Sequence, residues 1–513
     1  LCRLAALAAG LSLLPQPALA EWREASSKHF LVYSEGSAQA LQEFATKLER
    51  FDKAMRLRLA FADEDLGPGN RVTVFVVDDM AAVQRLARAR GSGIAGFYAG
   101  RAGASIAVVP RTSGGASRND LDPATILLHE YSHHIMLQGA SGAYPAWFRE
   151  GFAEFYSTAR FEKDGGLGFG AAANHRAWSL VGMSPLPIEL LFDPTRRKLS
   201  REEWVATIYG RGWLLTHYLT FDATRRGQLT AYLNAINGGK GSLEAAQSVF
   251  GDLKALDREL KAYLNRRMIP YLPLKAELLK IPAVSVRTLR PGEAAIMDLW
   301  MRSQVGVTKE DAGRVARDMR KAAAAYPDDP AVQAALAEAE FDAGDLAAAE
   351  AAAARAIAAD PKNVDGLTYR ARVAFERAKA SASAGDAEWK GVRRLIAQAN
   401  RADPNDPKPL ILYYQSFRAQ GIAPTTLAVD GLLQAFALAP QNVGLRMNAA
   451  RQLLVDGKAA EARRALAPIA YDPHGGALGQ AVAAVIAKLD SSGAKAALEA
   501  WDAATREAAK QPG

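Results

Sequence analysis

The chain has 513 residues, 49% of them hydrophobic and 23% charged, with a formal net charge of +8. That length predicts two or three domains, with enough apolar material for more than one core. The positive excess is mild and no dense Lys/Arg block accompanies it, so it reads as a solubility feature and gives no nucleic-acid footprint.

Residues 1–20 read as a secretory signal peptide. Arg3 precedes an apolar run from Leu4 to Leu14, Pro15 and Pro17 break it, and Ala18-Leu19-Ala20 offers a small-x-small cleavage site. The single cysteine, Cys2, falls inside this segment, so the mature chain would carry no thiol. No later run reaches the ~18 apolar residues of a membrane span. The expectation is an exported protein, periplasmic or extracellular.

Phe30 to Tyr33 reads as a short strand. Leu41, Phe44, Leu48, Phe51 and Met55 recur at helical spacing, and Arg71 to Val77 is a β-branched strand. A short helix around Ala81 to Ala89 follows, then Gly91, Gly93, Gly96 and Gly100 and a strand over Ser105 to Val109, which is either an edge strand able to pair with a peptide or an internal one. Thr112 to Ser117 is a loop. Asp122-Pro123 starts a helix, with an N-cap acceptor and then proline, and Gly139 stops it. Pro145 precedes a second helix. Further helices are expected over about 201–221, 226–236 and 252–267. Four prolines and the alternating Val284 to Leu289 mark 270–295 as a boundary with a strand or two.

From Thr308 alanine dominates. Pro327 and Pro361 stand 34 residues apart, the period of a tetratricopeptide repeat, and Leu336, Gly344, Ala349 and Ala356 fall where its two helices and turn need them. Prolines 404, 440 and 473 follow at intervals of 43, 36 and 33, with an insertion near Lys379 to Ser383 in the first. An Ala-rich bundle without true repeats is the other reading.

The chemistry concentrates in His129-Glu130-Tyr131-Ser132-His133 and in Trp147-Phe148-Arg149-Glu150-Gly151-Phe152-Ala153-Glu154. Residues four apart share one helix face, so His129 and His133 could bind one ion with Glu130 beside it, and Glu150 would add a third ligand from a second helix. Three protein ligands and an open position make a catalytic zinc site. His134 projects about 100° around the helix from His133 and is not expected to bind.

These two segments, with sixteen residues between His133 and Glu150, resemble the gluzincin metallopeptidases of the peptidase MA-like group. The resemblance covers about residues 25–270. It implies an α/β (α+β) zincin-like domain, Glu150 as third zinc ligand, and Glu154 as a carboxylate that orients a ligand histidine, with His129 the expected partner. A solvated Glu154 is the plainer alternative. Tyr209, in Ile208-Tyr209-Gly210-Arg211-Gly212, is similar to the Tyr-x-x-Gly segment of related aminopeptidases, whose tyrosine donates to the oxyanion. Tyr209 as a core anchor stays open, as does His217 as the donor or as a packed helix histidine. Those aminopeptidases carry a glutamate in a Gly-x-Met-Glu-Asn strand. Here Gly100 to Pro110 contains no acid, which favours endopeptidase over aminopeptidase activity.

The expected organisation is a signal peptide (1–20), a gluzincin-like domain (21–270), a boundary segment (271–307) and an all-α tetratricopeptide-like tail (308–513). The expected function is Zn2+-dependent hydrolysis of a peptide or protein substrate, with Glu130 as general base and acid and the tail recruiting a substrate or partner. In the alternative, a non-catalytic binding or assembly protein acts through its repeats and keeps the zincin domain as a scaffold.

Overall fold

The β-branched run Val72 to Val77 is buried on both faces, as the central strand of a layered domain must be. The computed structural model describes residues 21–89, 94, 96–112, 123–139, 142–184, 186–472 and 475–510. The signal-peptide segment, Gly91, Gly93, most of the Thr112 to Ser117 loop, Asp122 and Pro473 lie outside them.

Six strands form the main sheet: β1 (Arg23–Ser26), β2 (Phe30–Ser34), β3 (Val72–Val77), β4 (Phe97–Ala99), β5 (Ile106–Pro110) and, far along the chain, β9 (Ser285–Thr288). Their order is β4-β5-β3-β2-β1-β9. β2, β3 and β5 run parallel, while β4, β1 and β9 pair antiparallel with their neighbours. A three-stranded sheet of β6 (Arg160–Phe161), β7 (Leu167–Phe169) and β8 (Leu272–Leu274) sits apart. The Ser105 to Val109 stretch is therefore internal, held by β3 and β4. The edge is β4, whose three residues lie within the glycine-rich segment.

Side chains alternate between the two sheet faces. Phe30, Val32, Val72, Val74 and Ala107 meet helices α1 (Ala38–Leu59) and α2 (Pro123–Gly139) through Leu48, Phe51, Met55, Leu127, Tyr131 and Ile135. Tyr33, Phe75, Val77, Ile106 and Val108 point the other way. The helices packed on the first face continue with α3 (Ala146–Ser157) and α4 (Gly212–Phe221). The opposite face is covered by α5 (Pro291–Val305), through Met297 and Met301. Residues 271–307 are thus not a free linker. They supply a strand to each sheet and the helix that seals one face.

The tail continues in antiparallel pairs: α6 (Lys309–Ala323), α7 (Pro330–Asp342), α8 (Leu346–Ala359), α9 (Val364–Ala380), α10 (Asp386–Ala402), α11 (Pro407–Ala419), α12 (Thr426–Leu438), α13 (Val443–Val455), α14 (Ala459–Ala470) and α15 (Gly476–Lys510), the last broken at Gly493. Asp329 caps α7, Gly344 turns the chain at φ +83°, and Asp345 caps α8. This is the helix–turn–helix unit of a tetratricopeptide-like repeat. The 43-residue interval arises because α9 and α10 have 17 residues each, against 13 and 14 in α7 and α8. Among the described residues no helix is long and apolar enough to cross a membrane.

The tail is docked onto the first domain. Asn70 Nδ2 donates to Asn405 O (2.6 Å), and Gln441 Nε2 to Arg101 O (3.2 Å) and Ser105 Oγ (3.1 Å). Arg149 donates to Pro468 O and pairs with Asp472 (3.2 Å). Ala467 is part of the first domain's own core.

Candidate metal centre

Helix α2 buries Leu127, Leu128, Tyr131, Ser132, Ile135 and Met136, and turns His129, Glu130 and His133 to a half-buried face. It ends at Gly139, where a Cβ would lie 2.0 Å from the Phe61 ring. Pro145 leads directly into α3, which packs Trp147, Phe148, Phe152 and Phe155 into the core. Glu150 and Glu154 project from α3 one turn apart and are each 1% exposed.

His129 Nε2 and His133 Nε2 lie 3.2 Å apart. Glu150 Oε2 is 3.3 Å from the first and 3.5 Å from the second. Ligand atoms arranged tetrahedrally around an ion at about 2.0–2.1 Å are roughly 3.3–3.4 Å from one another. Two imidazole nitrogens and a carboxylate oxygen facing one point are all electron-pair donors, so the donor set fits a cation, and its nitrogen and oxygen character fits zinc. A second group, His29, Asp52 and Asp63, is equally close-set. Its carboxylates are already met by Lys28, Lys53 and Arg56, which leaves little charge for an ion.

Around the three atoms stands a shell of charge. His129 Nδ1 faces Glu154 Oε1 at 3.3 Å, which leaves its Nε2 for the site. Glu154 is not solvated: His175 Nε2 lies 2.7 Å from its Oε2 and Arg176 Nη2 2.5 Å from its Oε1. Burial opposes charge on both His129 and Glu154. Glu150 and Glu154 outweigh it on His129 and push its pKa up to about 10, while His129, His175 and Arg176 hold Glu154 well below the usual carboxylate range. The two carboxylates thus make the pocket favourable to positive charge, carried either by a proton on His129 Nε2 or by a cation that replaces it. His175 and Arg176 were not singled out from the sequence. They sit on a short 3-10 turn, Asn174–Arg176, that no periodicity marks.

Tyr209 lies in a π-helical stretch, Val205–Arg211, a conformation frequent at functional sites. Its ring stacks beside His129 at 6.0 Å and 14°, with the Arg176 guanidinium 5.0 Å from the ring centre. Burial and the Glu150 charge raise its pKa against Arg176, so the phenol keeps its proton and stays a donor. Two glycines set this position. A Cβ on Gly151 would be 2.4 Å from Gly212 O, and one on Gly212 would be 2.6 Å from Trp147 O. Helices α3 and α4 therefore touch backbone to backbone, which fixes Tyr209, one turn before Gly212, beside the Glu150 helix.

Glu130 is half-buried on the α2 face, close enough for its charge to act on Tyr209 and Tyr98. His134 turns away and meets Tyr98 OH (2.6 Å) and Gln138 Nε2 (2.9 Å). Burial, Arg56 and His29 bring its pKa down to about 3, so it is neutral. His217 is fully buried between Tyr263 OH (2.8 Å) and Gly170 O (2.9 Å) and is a packed core histidine, remote from oxyanion duty.

No family model and no curated protein matches this chain. Among solved structures, a thermophilic TPR protein of Thermus thermophilus is 17% identical, over 35% of this chain and 90% of that one, with a TM-score of 0.29. The pilF protein of Pseudomonas aeruginosa is 14% identical, over 43% of this chain and 96% of that one, with a TM-score of 0.32. Likenesses this low carry no argument, and the helix pairing described above stands on its own geometry.

Proposed function

We propose that this chain is an exported zinc-dependent peptidase that cleaves within peptide chains. The observation that carries the reading is the convergence of His129 Nε2, His133 Nε2 and Glu150 Oε2 on one point, 3.2 to 3.5 Å apart, with Glu130 next to His129 and near enough for its charge to act on Tyr209. A zinc ion held by those atoms would polarise a carbonyl and acidify a water molecule. Glu130, beside those donor atoms on α2, would accept a proton from a water so acidified and pass it to a departing amine. Tyr209, protonated, donates to the oxygen on which charge develops. Glu154 holds His129 by Nδ1, and Arg176 and His175 hold Glu154. The absence of any acid from Gly100 to Pro110 leaves that segment without a carboxylate for a substrate amine, which supports internal cleavage.

A second reading, a binding or assembly protein acting through its tail, is favoured by the run of helix pairs α6 to α15, since stacked pairs offer extended surfaces to protein partners. The two readings part on one experiment. Purified protein and its His133→Ala and Glu130→Gln variants are assayed for bound metal and for casein hydrolysis. The peptidase reading expects stoichiometric zinc in the parent and in Glu130→Gln, none in His133→Ala, and hydrolysis in the parent alone. Zinc without cleavage of casein or of a peptide library supports the scaffold reading. A parent chain that binds no divalent metal ends the peptidase reading.

A further inference from the structure

We propose that a cleft between the main sheet and the first helix pairs of the tail binds the primary ammonium of a lysine side chain, presented by a partner peptide. The cleft has a volume of about 160 Å³ and lies against β2, β9, α5, α7 and the start of α9. One wall is apolar: Tyr33 and Trp300, in edge-to-face contact at 5.3 Å, with Met297 and Ile296 beside them; the other carries Arg287, whose charge is met by Glu24 (2.8 Å) and Glu293 (2.7 Å). At its inner side lies Glu338, 8% exposed.

Glu338 lacks the partner that a buried carboxylate requires. Its one hydrogen bond comes from Gln304 Nε2 to Oε2, at 2.7 Å. The neighbouring cation, Lys408, is committed to Asp365 (2.9 Å) and Asp406 (3.5 Å), and no ion pair to Glu338 exists among the described residues. Burial, reinforced by Asp342 and Asp365 against the pull of Lys408, pushes the Glu338 carboxyl up to about 7. Asp365, exposed at the rim, is already paired with Lys408, which leaves Glu338 as the lining carboxylate without an ion pair among the described residues.

An apolar wall ending in an uncompensated carboxylate matches an alkyl chain ending in a cation. The stem would lie on Trp300 and Met297, where aromatic rings also attract the charge, and the head would meet Glu338. The choice between lysine and arginine follows from oxygen count. A guanidinium fork is best met by both carboxylate oxygens, and Oε2 here already shares one of its lone pairs with Gln304, which crowds the second prong. An ammonium is a point charge and needs only Oε1. The cleft volume is also close to that of a cavity that takes one benzene ring, about 150 Å³, which suits a four-carbon stem. This proposal is independent of the metal site.

Calorimetric titration of the full chain with N-acetyl-lysine-N-methylamide tests it, with the norleucine and arginine counterparts as controls. Saturable binding of the lysine compound is expected, with at least tenfold weaker binding of the other two. Glu338→Gln should weaken the lysine compound at least tenfold, and Ala334→Met, which fills the cleft and leaves the carboxylate in place, should do the same. The second variant decides the matter if the first does not fold. Equal binding of the norleucine compound, no saturation by the lysine compound, or full binding by either folded variant overturns the proposal.

Discussion

At the scale of single residues, the candidate centre is organised around one carboxylate that is not among its three converging donors. Glu154 is buried and accepts from His175 and Arg176 while facing His129 Nδ1. Removing such a partner of a metal-binding histidine costs about 10–100-fold in metal affinity. Glu154→Gln keeps the shape and removes the charge, so zinc affinity measured against a competing chelator should fall by that factor. Arg176→Met should weaken it in the same direction by less, since His175 remains. Unchanged affinity in Glu154→Gln would mean that His129 is oriented by packing alone. The sequence made His129 and His133 legible because helical periodicity puts residues four apart on one face, and Glu130 because the His-Glu-x-x-His string sets it beside the first of them. It could not reveal His175 and Arg176, which reach Glu154 through a tertiary contact from a turn twenty residues downstream.

At the scale of elements, the site is set by how closely α3 and α4 approach. Gly151 and Gly212 face each other with no room for a methyl group on either. Gly212→Ala must push the helices apart, against backbone atoms that cannot swing aside, so a loss of about 1–3 kcal/mol is expected. Turnover should fall further than metal affinity, because Tyr209 moves with α4 whereas His129 and His133 stay on α2. Gly313, within α6, has nothing within 4 Å of its would-be Cβ. Gly313→Ala should therefore stabilise, by up to about 1 kcal/mol, through helix propensity alone. Denaturant titration of the two variants reads these opposite signs. Spacing made the helices readable in the sequence, but not their approach. The edge strand Phe97–Ala99 was hidden for a related reason: three half-buried residues between glycines give too short a run for alternation to register.

At the scale of the whole molecule, the tail behaves as part of the first domain's scaffold. Arg446 Nη2 reaches Leu137 O near the end of α2 (3.5 Å), and Arg149, beside Glu150, is held by Pro468 O and Asp472. Gln441 and Asn442 grip the turn that joins β4 to β5. Both helices of the candidate metal centre and the sheet edge next to them are therefore braced by α13, α14 and their loops. None of this long-range docking was legible, since repeat periodicity reports how helices stack on their neighbours and says nothing of what the finished array closes upon. A chain ending at residue 439 should lose Ala467 from the core, free Arg149 and release the β4–β5 turn. Its thermal midpoint should drop by several degrees, since even about 1 kcal/mol shifts the midpoint of a domain this large by a few degrees. Hydrogen exchange at residues 97–105 and 131–137 should quicken, while α7 and α8, far from the cut, keep their protection. A separable tail would leave both the midpoint of the first domain and its exchange pattern as they were, and that outcome would rule out the bracing role.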